Sequence, residues 1–222
     1  MSPDIIYEDS SIIVINKPAG LATQSANVSQ PDCVSLLKEH IRKNDPNIKG
    51  EPYIGVIHRL DQPVAGLLVF AKDKKAAADL SEQVRGRLLN KYYTALVEGI
   101  VDAPEEMLLS DRIIKDAGSG KALIVNGQGA DPKSQEATLY YRTENIIPDR
   151  NMTILSIRLM TGRFHQIRAQ LSNMGHPIVG DRKYGAGSAY PQGIALVANR
   201  LEFEHPVTGE KVEKVVDFSF FL

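Results

Sequence analysis

Two short polar segments carry the side chains of this chain that are best suited to chemistry. The first, His58–Asp61, lies between the strand-like run Tyr53–Ile57 and the continuous apolar run Gly66–Lys72. Because such an apolar run is typical of a strand buried on both faces, the segment connects two core strands. A carboxylate and a guanidinium held in such a connection, those of Asp61 and Arg59, are positioned rather than flexible, as groups that do chemistry must be.

The second segment, Thr161–Arg168, opens a helical pattern. From Arg163 onwards its apolar residues recur at the spacing of one helical face: Phe164, Ile167, Leu171 and Met174. On that helix Arg168 projects about 40° from Phe164 and so borders the buried face. Because an arginine keeps its proton, it needs an anionic partner there. We predict that this partner is Asp61.

A plainer interpretation of the first segment stays open. Arg59 and Asp61 can form a surface ion pair in a tight turn whose backbone is fixed by Pro63. Most exposed pairs of this kind contribute little to stability and have no other role. The second segment is what favours a catalytic site over this alternative.

Six blocks of sequence, taken in order, resemble the RluA-type pseudouridine synthases, which isomerise uridine in structured RNA. The blocks span nearly the whole chain: Ile15–Leu21, His58–Lys72, Lys91–Val97, Thr161–Arg168, Gly180–Gly185 and Leu201–Pro206. Together and in the family's order they are far more specific than any one of them. The resemblance implies the pseudouridine synthase fold and the catalytic domain of the family over residues 1–222, without the S4 domain that some members carry.

The resemblance also implies a reaction and the residues that perform it. Pseudouridine formation breaks the N1–C1′ bond of uridine, turns the uracil and rejoins it through C5. Asp61 corresponds to the carboxylate that attacks at the sugar–base junction or stabilises positive charge there. Arg168 is expected to keep that carboxylate ionised, because a fixed cation favours the charged form. Tyr93 corresponds to the tyrosine that packs on the target base, although a half-buried strand tyrosine is the plainer alternative.

Five further residues are candidates for substrate binding, two of them, Arg59 and Leu201, through the same resemblance. Arg59 corresponds to the arginine that enters the space left when the target uridine is flipped out of its RNA. Leu201 corresponds to an apolar residue that packs against the reacting nucleotide, and taken alone it would be assigned to the core. His58 and His165 are expected to orient backbone or phosphate groups, and Arg163 to contact phosphate.

Charge limits the kind of RNA contact that is possible. The formal net charge of the 222 residues is −1, which is not typical of a general nucleic-acid binder. Phosphate contacts must therefore come from a local patch. The candidates are Arg85, Arg87, Lys91, Arg163, Arg182 and Lys183. For each of them taken singly, a solvated surface charge is the alternative.

The sequence predicts no metal and no organic cofactor. Uridine isomerisation changes no oxidation state, and the five histidines show no HExxH ligand spacing. The single cysteine, Cys33, excludes an internal disulfide and a cysteine-built zinc site and fits a reducing compartment. No run has the length and apolarity of a signal peptide or a membrane span. We therefore expect a cytoplasmic monomer whose partner is ribosomal RNA, transfer RNA or both, with no membrane contact.

Hydrophobic periodicity predicts many strands and few helices. The strand-like runs are Ile5–Tyr7, Ile12–Ile15, Tyr92–Val97, Ala137–Thr143, Thr153–Met160, Leu196–Ala198, Leu201–Phe203 and Val215–Phe220. Two helices follow the N-caps Asp32 and Asp73, and the second presents apolar residues as far as Leu88. Residues 102–135 are interpreted as a mobile hairpin or loop pair at the substrate face, or as a surface insertion. These elements indicate an α+β fold, a single domain on a large, mostly antiparallel mixed β-sheet flanked by a few helices.

Two other classes of function stay open. A non-catalytic RNA-binding module could keep the same fold, but it predicts loss of the Asp61 or Tyr93 counterpart, and both are present. A hydrolase that uses Asp61 with a histidine, with or without a metal, would release free base or require a divalent ion. Pseudouridine synthesis is the interpretation with which all six blocks agree.

Overall fold

The computed structural model describes residues 4–25, 30–45, 47–127 and 131–220. Its strands are β1 (Asp4–Glu8), β2 (Ile12–Lys17), β3 (Gly55–Val56), β4 (Ala65–Ala71), β5 (Asn90–Glu98), β6 (Met107–Asp116), β7 (Lys121–Ile124), β8 (Gln135–Ile147), β9 (Met152–Leu159), β10 (Leu196–Glu204) and β11 (Lys211–Val215). Its α-helices are α1 (Cys33–Asn44), α2 (Lys74–Arg85) and α3 (Gln166–Asn173). The chain clusters into two compact units, residues 1–90 with 198–218 and residues 91–197 with 219–222.

The sheet of the first unit is organised around β4, whose sequence is almost entirely apolar. The strand order is β1-β2-β4-β10, with β3 paired to β4 and β11 paired to β10. Every residue of β4 from Gly66 to Ala71 is buried, which confirms a strand covered on both faces. Its side chains Leu67 and Val69 pack in one cluster with Leu80 of α2. This packing fixes the chain on the C-terminal side of Asp61.

Gly66 is required where β4 meets β10. Its φ angle is +121°, and a Cβ atom at this position would lie 2.3 Å from the carbonyl oxygen of Ala198. Only glycine combines this backbone conformation with so close an approach. The close approach holds β4 against β10, the strand that carries Leu201.

Both predicted N-caps of the first unit are confirmed. The Asp32 carboxylate accepts a hydrogen bond from the backbone N–H of Ser35 at 2.7 Å, and the Ser35 hydroxyl accepts one from the Asp32 N–H at 3.0 Å. The Asp73 carboxylate accepts from the N–H groups of Lys75 and Ala76. These bonds satisfy donors that the first turn of a helix leaves without a backbone partner.

The end of α2 differs from the prediction. The helix stops at Arg85, and Arg87 then adopts a left-handed φ of +58°. This turn changes the direction of the chain, so that Leu88 is 57% exposed while Leu89 enters the core. The predicted assignment of Leu88 to the buried face of the helix is therefore wrong.

The sheet of the second unit is built from antiparallel neighbours in the order β5-β9-β8-β6-β7. Burial alternates along β9, where Leu155 and Ile157 point inward, as the sequence predicts. Ala169 of α3 packs in one cluster with Ile113 of β6. Within the predicted segment 102–135 the hairpin is confirmed for β6 and β7, which pair so that Ile113 lies opposite Ile124, while residues 128–130 lie outside the described residues. Its position at the substrate face stays a prediction.

The last strand lies earlier than predicted. β11 covers Lys211–Val215 and pairs with β10 so that Lys211 lies opposite Glu204. The short turn between the two strands sets this register, because few residues separate the paired positions. Residues 216–220 form no strand, so the predicted strand Val215–Phe220 is wrong.

The predicted α+β class on a large, mostly antiparallel sheet is confirmed by the eleven strands and three α-helices of the described residues. That residues 1–222 form one domain stays a prediction. Within the described ranges, no helix has the length and apolarity needed to cross a membrane.

Candidate active site

Asp61 lies in a tight turn between β3 and β4. The turn is closed by a hydrogen bond of 3.0 Å from the N–H of Val64 to the carbonyl oxygen of Asp61. Its neighbours Leu60 and Val64 are buried, while Asp61 itself is half-buried. The buried residues on both sides anchor the turn and leave the carboxylate partly accessible to a ligand.

The residues on either side of Asp61 are tethered to the segment after β2. The Thr23 hydroxyl donates to the carbonyl oxygen of Leu60 at 3.0 Å and accepts from the Leu60 N–H at 3.2 Å. The Gly20 N–H donates to the carbonyl oxygen of Gln62 at 2.8 Å, and the Gln62 side chain donates back to the Gly20 carbonyl at 2.9 Å. These four bonds join two loops that are about forty residues apart in sequence and limit the motion of Asp61.

Lys17 completes this tether, and sequence analysis missed it. Its side chain has no solvent exposure, and Nζ donates to the carbonyl oxygens of Pro18 at 3.0 Å, Leu21 at 2.7 Å and Gln62 at 3.2 Å. Burial lowers the pKa of Lys17 to about 8, against opposing contributions from Cys33 and Asp61. The available signal was a lysine that ends an apolar strand directly before a proline.

His58 and Arg59 occupy different environments in the same turn. His58 is half-buried, and its Nε2 accepts a long hydrogen bond of 3.4 Å from the N–H of Val69 on β4. This contact lies at the weak end of hydrogen-bond geometry. Arg59 is exposed, as a side chain that reaches into RNA must be. The substrate contacts of both residues stay predictions.

Leu201 lies on β10 with only 1% of its side chain exposed. It belongs to the apolar cluster that contains Leu67 and Val69 of β4, so its core role is established by its packing. The predicted contact of Leu201 with the reacting nucleotide is not excluded by this packing and stays a prediction.

In the second unit, Arg168 forms a buried bidentate ion pair with Asp181. Its Nε lies 2.7 Å from Oδ2 and its Nη2 lies 2.9 Å from Oδ1. The side chains are 6% and 1% exposed. The prediction that Arg168 needs an anionic partner is confirmed, but Arg168 is buried rather than at the border of the buried face, and the sequence did not identify Asp181 as an anion that pairs with it. The predicted pairing of Arg168 with Asp61 joins residues of different units and stays a prediction.

The helix that carries Arg168 begins later than predicted. α3 starts at Gln166, and the preceding His165 has a left-handed φ of +51°. The Gln166 side chain fixes this start, because its Oε1 accepts from the Thr161 hydroxyl at 2.8 Å and from the Arg163 N–H at 3.0 Å. Phe164 therefore lies outside the helix and is 39% exposed. The predicted helix start at Arg163 and the predicted burial of Phe164 are wrong.

The other candidates of the second unit occupy a strand and a surface. Tyr93 lies on β5 opposite Ile157 and is 5% exposed, and its stacking role stays a prediction. Arg163 is exposed, and its Nε donates to the carbonyl oxygen of Glu136 at 2.9 Å, so its guanidinium has a fixed orientation. His165 shares a hydrogen bond of 2.9 Å with the Tyr184 hydroxyl through Nδ1.

Two of the predicted phosphate-binding cations have other surroundings. Arg85 forms an ion pair with Glu82 one turn earlier on α2. Burial lowers the pKa of Lys91, because desolvation disfavours the charged form of its amine. Of the predicted cations, Arg163, Arg182 and Lys183 are exposed beside α3, and they lie in the second unit.

Within the described part of the chain, no group of three or more histidine, cysteine, aspartate or glutamate side chains could hold a metal ion. Cys33 is buried as the first residue of α1, and burial raises the pKa of its thiol to about 11. It is therefore a packed small side chain rather than a reactive thiolate.

Comparison with known proteins gives consistent results. The sequence model of the family described as RNA pseudouridylate synthase matches residues 11–173. The chain is 33% identical, over 94% of its length, to the uncharacterized RNA pseudouridine synthase YhcT of Bacillus subtilis. It is 34% identical, also over 94% of its length, to the ribosomal large subunit pseudouridine synthase D of Xanthomonas campestris. It spans 66% and 64% of the lengths of these two relatives.

A solved structure shows the same fold. Human RNA Pseudouridylate Synthase Domain Containing 4 superposes with a TM-score of 0.76, covering 97% of this chain and 88% of its own. The two sequences are 24% identical, so the likeness concerns the fold alone.

Proposed function

The chain belongs to the RNA pseudouridylate synthase family, and from this premise we propose that it converts uridine in structured RNA to pseudouridine with Asp61 acting at C1′. The observation that carries the proposal is the anchoring of the Asp61 turn. Thr23 binds the residue before Asp61, and Gly20 and Lys17 bind the residue after it. A carboxylate held in this way loses little conformational entropy when a substrate reaches it.

The chemistry needs one carboxylate and no external reagent. Asp61 attacks C1′, or stabilises positive charge there, as the N1–C1′ bond breaks and the bonding electrons stay with the uracil. The uracil turns and C5 bonds to C1′; where Asp61 has bonded to C1′, that bond breaks in the same step and the carboxylate is released. C5 then loses its proton and N1 gains one. No oxidant, reductant or group donor is consumed, so neither a metal nor an organic cofactor is needed.

Two side chains of the second unit assist this reaction in our proposal. Arg168 keeps Asp61 ionised and aimed, while Asp181 holds the guanidinium of Arg168 by two hydrogen bonds. Tyr93 stacks on the uracil and assists removal of the C5 proton.

The remaining candidates bind RNA. Arg59, exposed beside Asp61, occupies the space that the flipped-out uridine leaves, since a planar guanidinium stacks on bases and bonds to phosphate. Leu201 packs against the reacting nucleotide, and His58, Arg163 and His165 orient backbone or phosphate. The target is ribosomal RNA, transfer RNA or both, and the Xanthomonas relative, by its name, favours large-subunit ribosomal RNA. We propose a cytoplasmic monomer as the working form.

The proposal is tested by incubating the protein with unmodified large-subunit ribosomal RNA and with unmodified transfer RNA, each made by transcription in vitro. Nucleosides and free bases are then separated by chromatography and quantified. Pseudouridine without free uracil supports the proposal. Free uracil identifies a hydrolase, and RNA binding without either product identifies a non-catalytic module.

A further inference from the structure

An aromatic side chain is presented to solvent at the start of α3. The Phe164 ring is 39% exposed and stacks on the neighbouring ring of His165, with centroids 3.8 Å apart and planes 20° apart. Adjacent side chains stack in this way because His165 adopts a left-handed φ of +51°. Such a conformation is unfavourable for a residue other than glycine and persists only where the surroundings fix it.

The surroundings of His165 supply that constraint. Its Nδ1 lies 2.9 Å from the hydroxyl of Tyr184, and the two rings meet edge to face with centroids 5.6 Å apart. The Tyr184 hydroxyl also accepts a hydrogen bond of 2.7 Å from the N–H of Ala122 on β7. Tyr184 is buried, so the stack of Phe164 on His165 has a rigid base.

The same surface is rich in cations. Lys115 of β6 places Nζ 4.7 Å from the centroid of the Phe164 ring. The Phe164 ring thus has both an aromatic and a cationic neighbour, His165 at stacking distance and Lys115 at cation–π distance. Lys121 belongs to the β6–β7 hairpin, as Lys115 does, and Lys183 lies beside that hairpin near Gly120. Arg163 immediately precedes Phe164 in the chain. Among the residues that the structure describes, the ion pairs are formed by cations other than Lys115, Lys121, Arg163 and Lys183.

We infer that Phe164 is a stacking platform for an unpaired RNA base outside the reacting nucleotide, and that Lys115 binds the phosphate beside that base. The inference rests on the proposed function for the identity of the ligand as RNA. An arriving base displaces the exposed ammonium of Lys115 from the ring, since base–aromatic stacking is stronger than an exposed cation–π contact. The displaced ammonium then lies next to the sugar–phosphate backbone.

This arrangement accounts for how a chain of net charge −1 can hold RNA. A rigid aromatic ring binds any base face with little ordering cost. Lys115 contacts the ring and Arg163 precedes it in the chain, while Lys121 contacts Tyr184 and Lys183 lies near Gly120. The helical spacing of the sequence assigns Phe164 to the core, and no motif points to Lys115 or Lys121. The surface, defined by Phe164, His165 and Lys115, lies wholly within the second unit.

Binding of a fluorescein-labelled ten-nucleotide adenylate, followed by fluorescence anisotropy at several salt concentrations, tests the inference. A ten-residue abasic backbone of equal charge serves as the second probe. We expect Phe164→Leu to weaken adenylate binding about tenfold, to leave abasic binding unchanged and to leave the salt dependence unchanged. Lys115→Gln is expected to reduce the slope of log K against log salt by about 0.7. Phe218→Leu, at a phenylalanine that is 37% exposed in the other unit, is the matched control and should change nothing.

Adenylate binding by Phe164→Leu that equals wild type overturns the inference, as does an equal loss with both probes. Pseudouridine formation by the wild type is measured in parallel. Product formation together with unchanged adenylate binding in Phe164→Leu rejects the platform and leaves the proposed function standing. A tenfold loss of adenylate binding without product formation by the wild type rejects the function and supports the platform.

Discussion

The Nζ atom of Lys17 lies 3.2 Å from the carbonyl oxygen of Gln62, the residue that follows Asp61. Lys17 ends β2 and is wholly buried, so a charged group of the core reaches the backbone of the candidate catalytic turn. Its other two acceptors are also backbone carbonyls, those of Pro18 and Leu21. The ammonium thus binds the Asp61 turn and the loop after β2 at a single point.

The burial of Lys17 predicts a pH dependence of stability. Burial lowers the pKa of Lys17 from 10.5 to about 8, which corresponds to about 3 kcal/mol. Between these two values the unfolded chain binds more protons than the folded one, so this contribution to the free energy of unfolding rises with pH. Below pH 8 both states are charged and the contribution is constant.

The measurement is urea unfolding of wild type and Lys17→Met at pH 7, 8, 9 and 10. We expect the wild type to gain stability relative to Lys17→Met above pH 8. Lys75→Met, which changes an exposed lysine of α2, is the control and should show a constant difference. If the difference in unfolding free energy between wild type and Lys17→Met were also independent of pH, the burial of a charged Lys17 would be contradicted.

Thr23→Val tests the tether of the residue before Asp61. The change keeps the shape of the side chain but removes the hydroxyl that bonds to both backbone groups of Leu60. We expect a loss of about 1–3 kcal/mol in the free energy of unfolding, because two buried polar groups lose their partner. The single-turnover rate should fall while RNA affinity stays unchanged. Thr23→Ser keeps the hydroxyl and should restore the rate, and a slow Thr23→Ser would argue against this role.

Asp181→Ala tests the buried ion pair of Arg168. Removing one partner leaves the other charge buried, so we expect a destabilisation of about 3–5 kcal/mol in urea unfolding. Glu106→Ala is the matched control, because Glu106 pairs with Arg158 by a similar contact of 2.8 Å at a more exposed position. This control should cost at most about 1 kcal/mol. Equal losses of unfolding free energy for the two substitutions would refute the claim that burial makes the Arg168 pair more important to stability than the exposed pair.

The strands and the caps were predictable because each depends on local pattern. The apolar run of β4, the alternation in β9 and the N-caps Asp32 and Asp73 all appear where the sequence places them. The misplaced last strand is an exception, because its register is set by pairing with β10. The other errors lie where the backbone leaves regular geometry. Arg87 and His165 both have positive φ angles, and each moves a helix boundary and exposes an apolar side chain that periodicity had assigned to the core.

The candidate site was predictable only in part. Asp61 is a candidate through its residue type and the family resemblance, but the bonds of its turn to Lys17 and Thr23 depend on contacts between distant loops, which periodicity does not encode. Asp181 was not predictable as a partner of Arg168 for the same reason. The need for an anion can be deduced from the position of Arg168 on its helix, but tertiary structure determines which anion lies there. Side chains that bind backbone carbonyls, as Lys17 does, leave no motif of paired charges in the sequence.

Arg59→Ala tests the role of the exposed arginine next to Asp61. Because Arg59 is exposed and the tether bonds involve other residues, we expect the stability of the protein to be unchanged. The rate of uridine conversion at saturating protein should fall at least tenfold. Base flipping costs about a few kcal/mol, and without the Arg59 side chain nothing takes the place of the flipped base in the RNA. Single-turnover assays with Arg59→Lys as a second variant provide the measurement. An unchanged single-turnover rate for Arg59→Ala rules out this role.

The central claim is that Asp61 performs uridine isomerisation without a cofactor. Its most direct test is the release of tritium from RNA whose uridines are tritiated at C5, with a metal chelator in every reaction. We predict release by the wild type and none by Asp61→Asn, which keeps the size of the side chain and removes its charge. Equal release by both proteins, or release that the chelator abolishes, would contradict the claim.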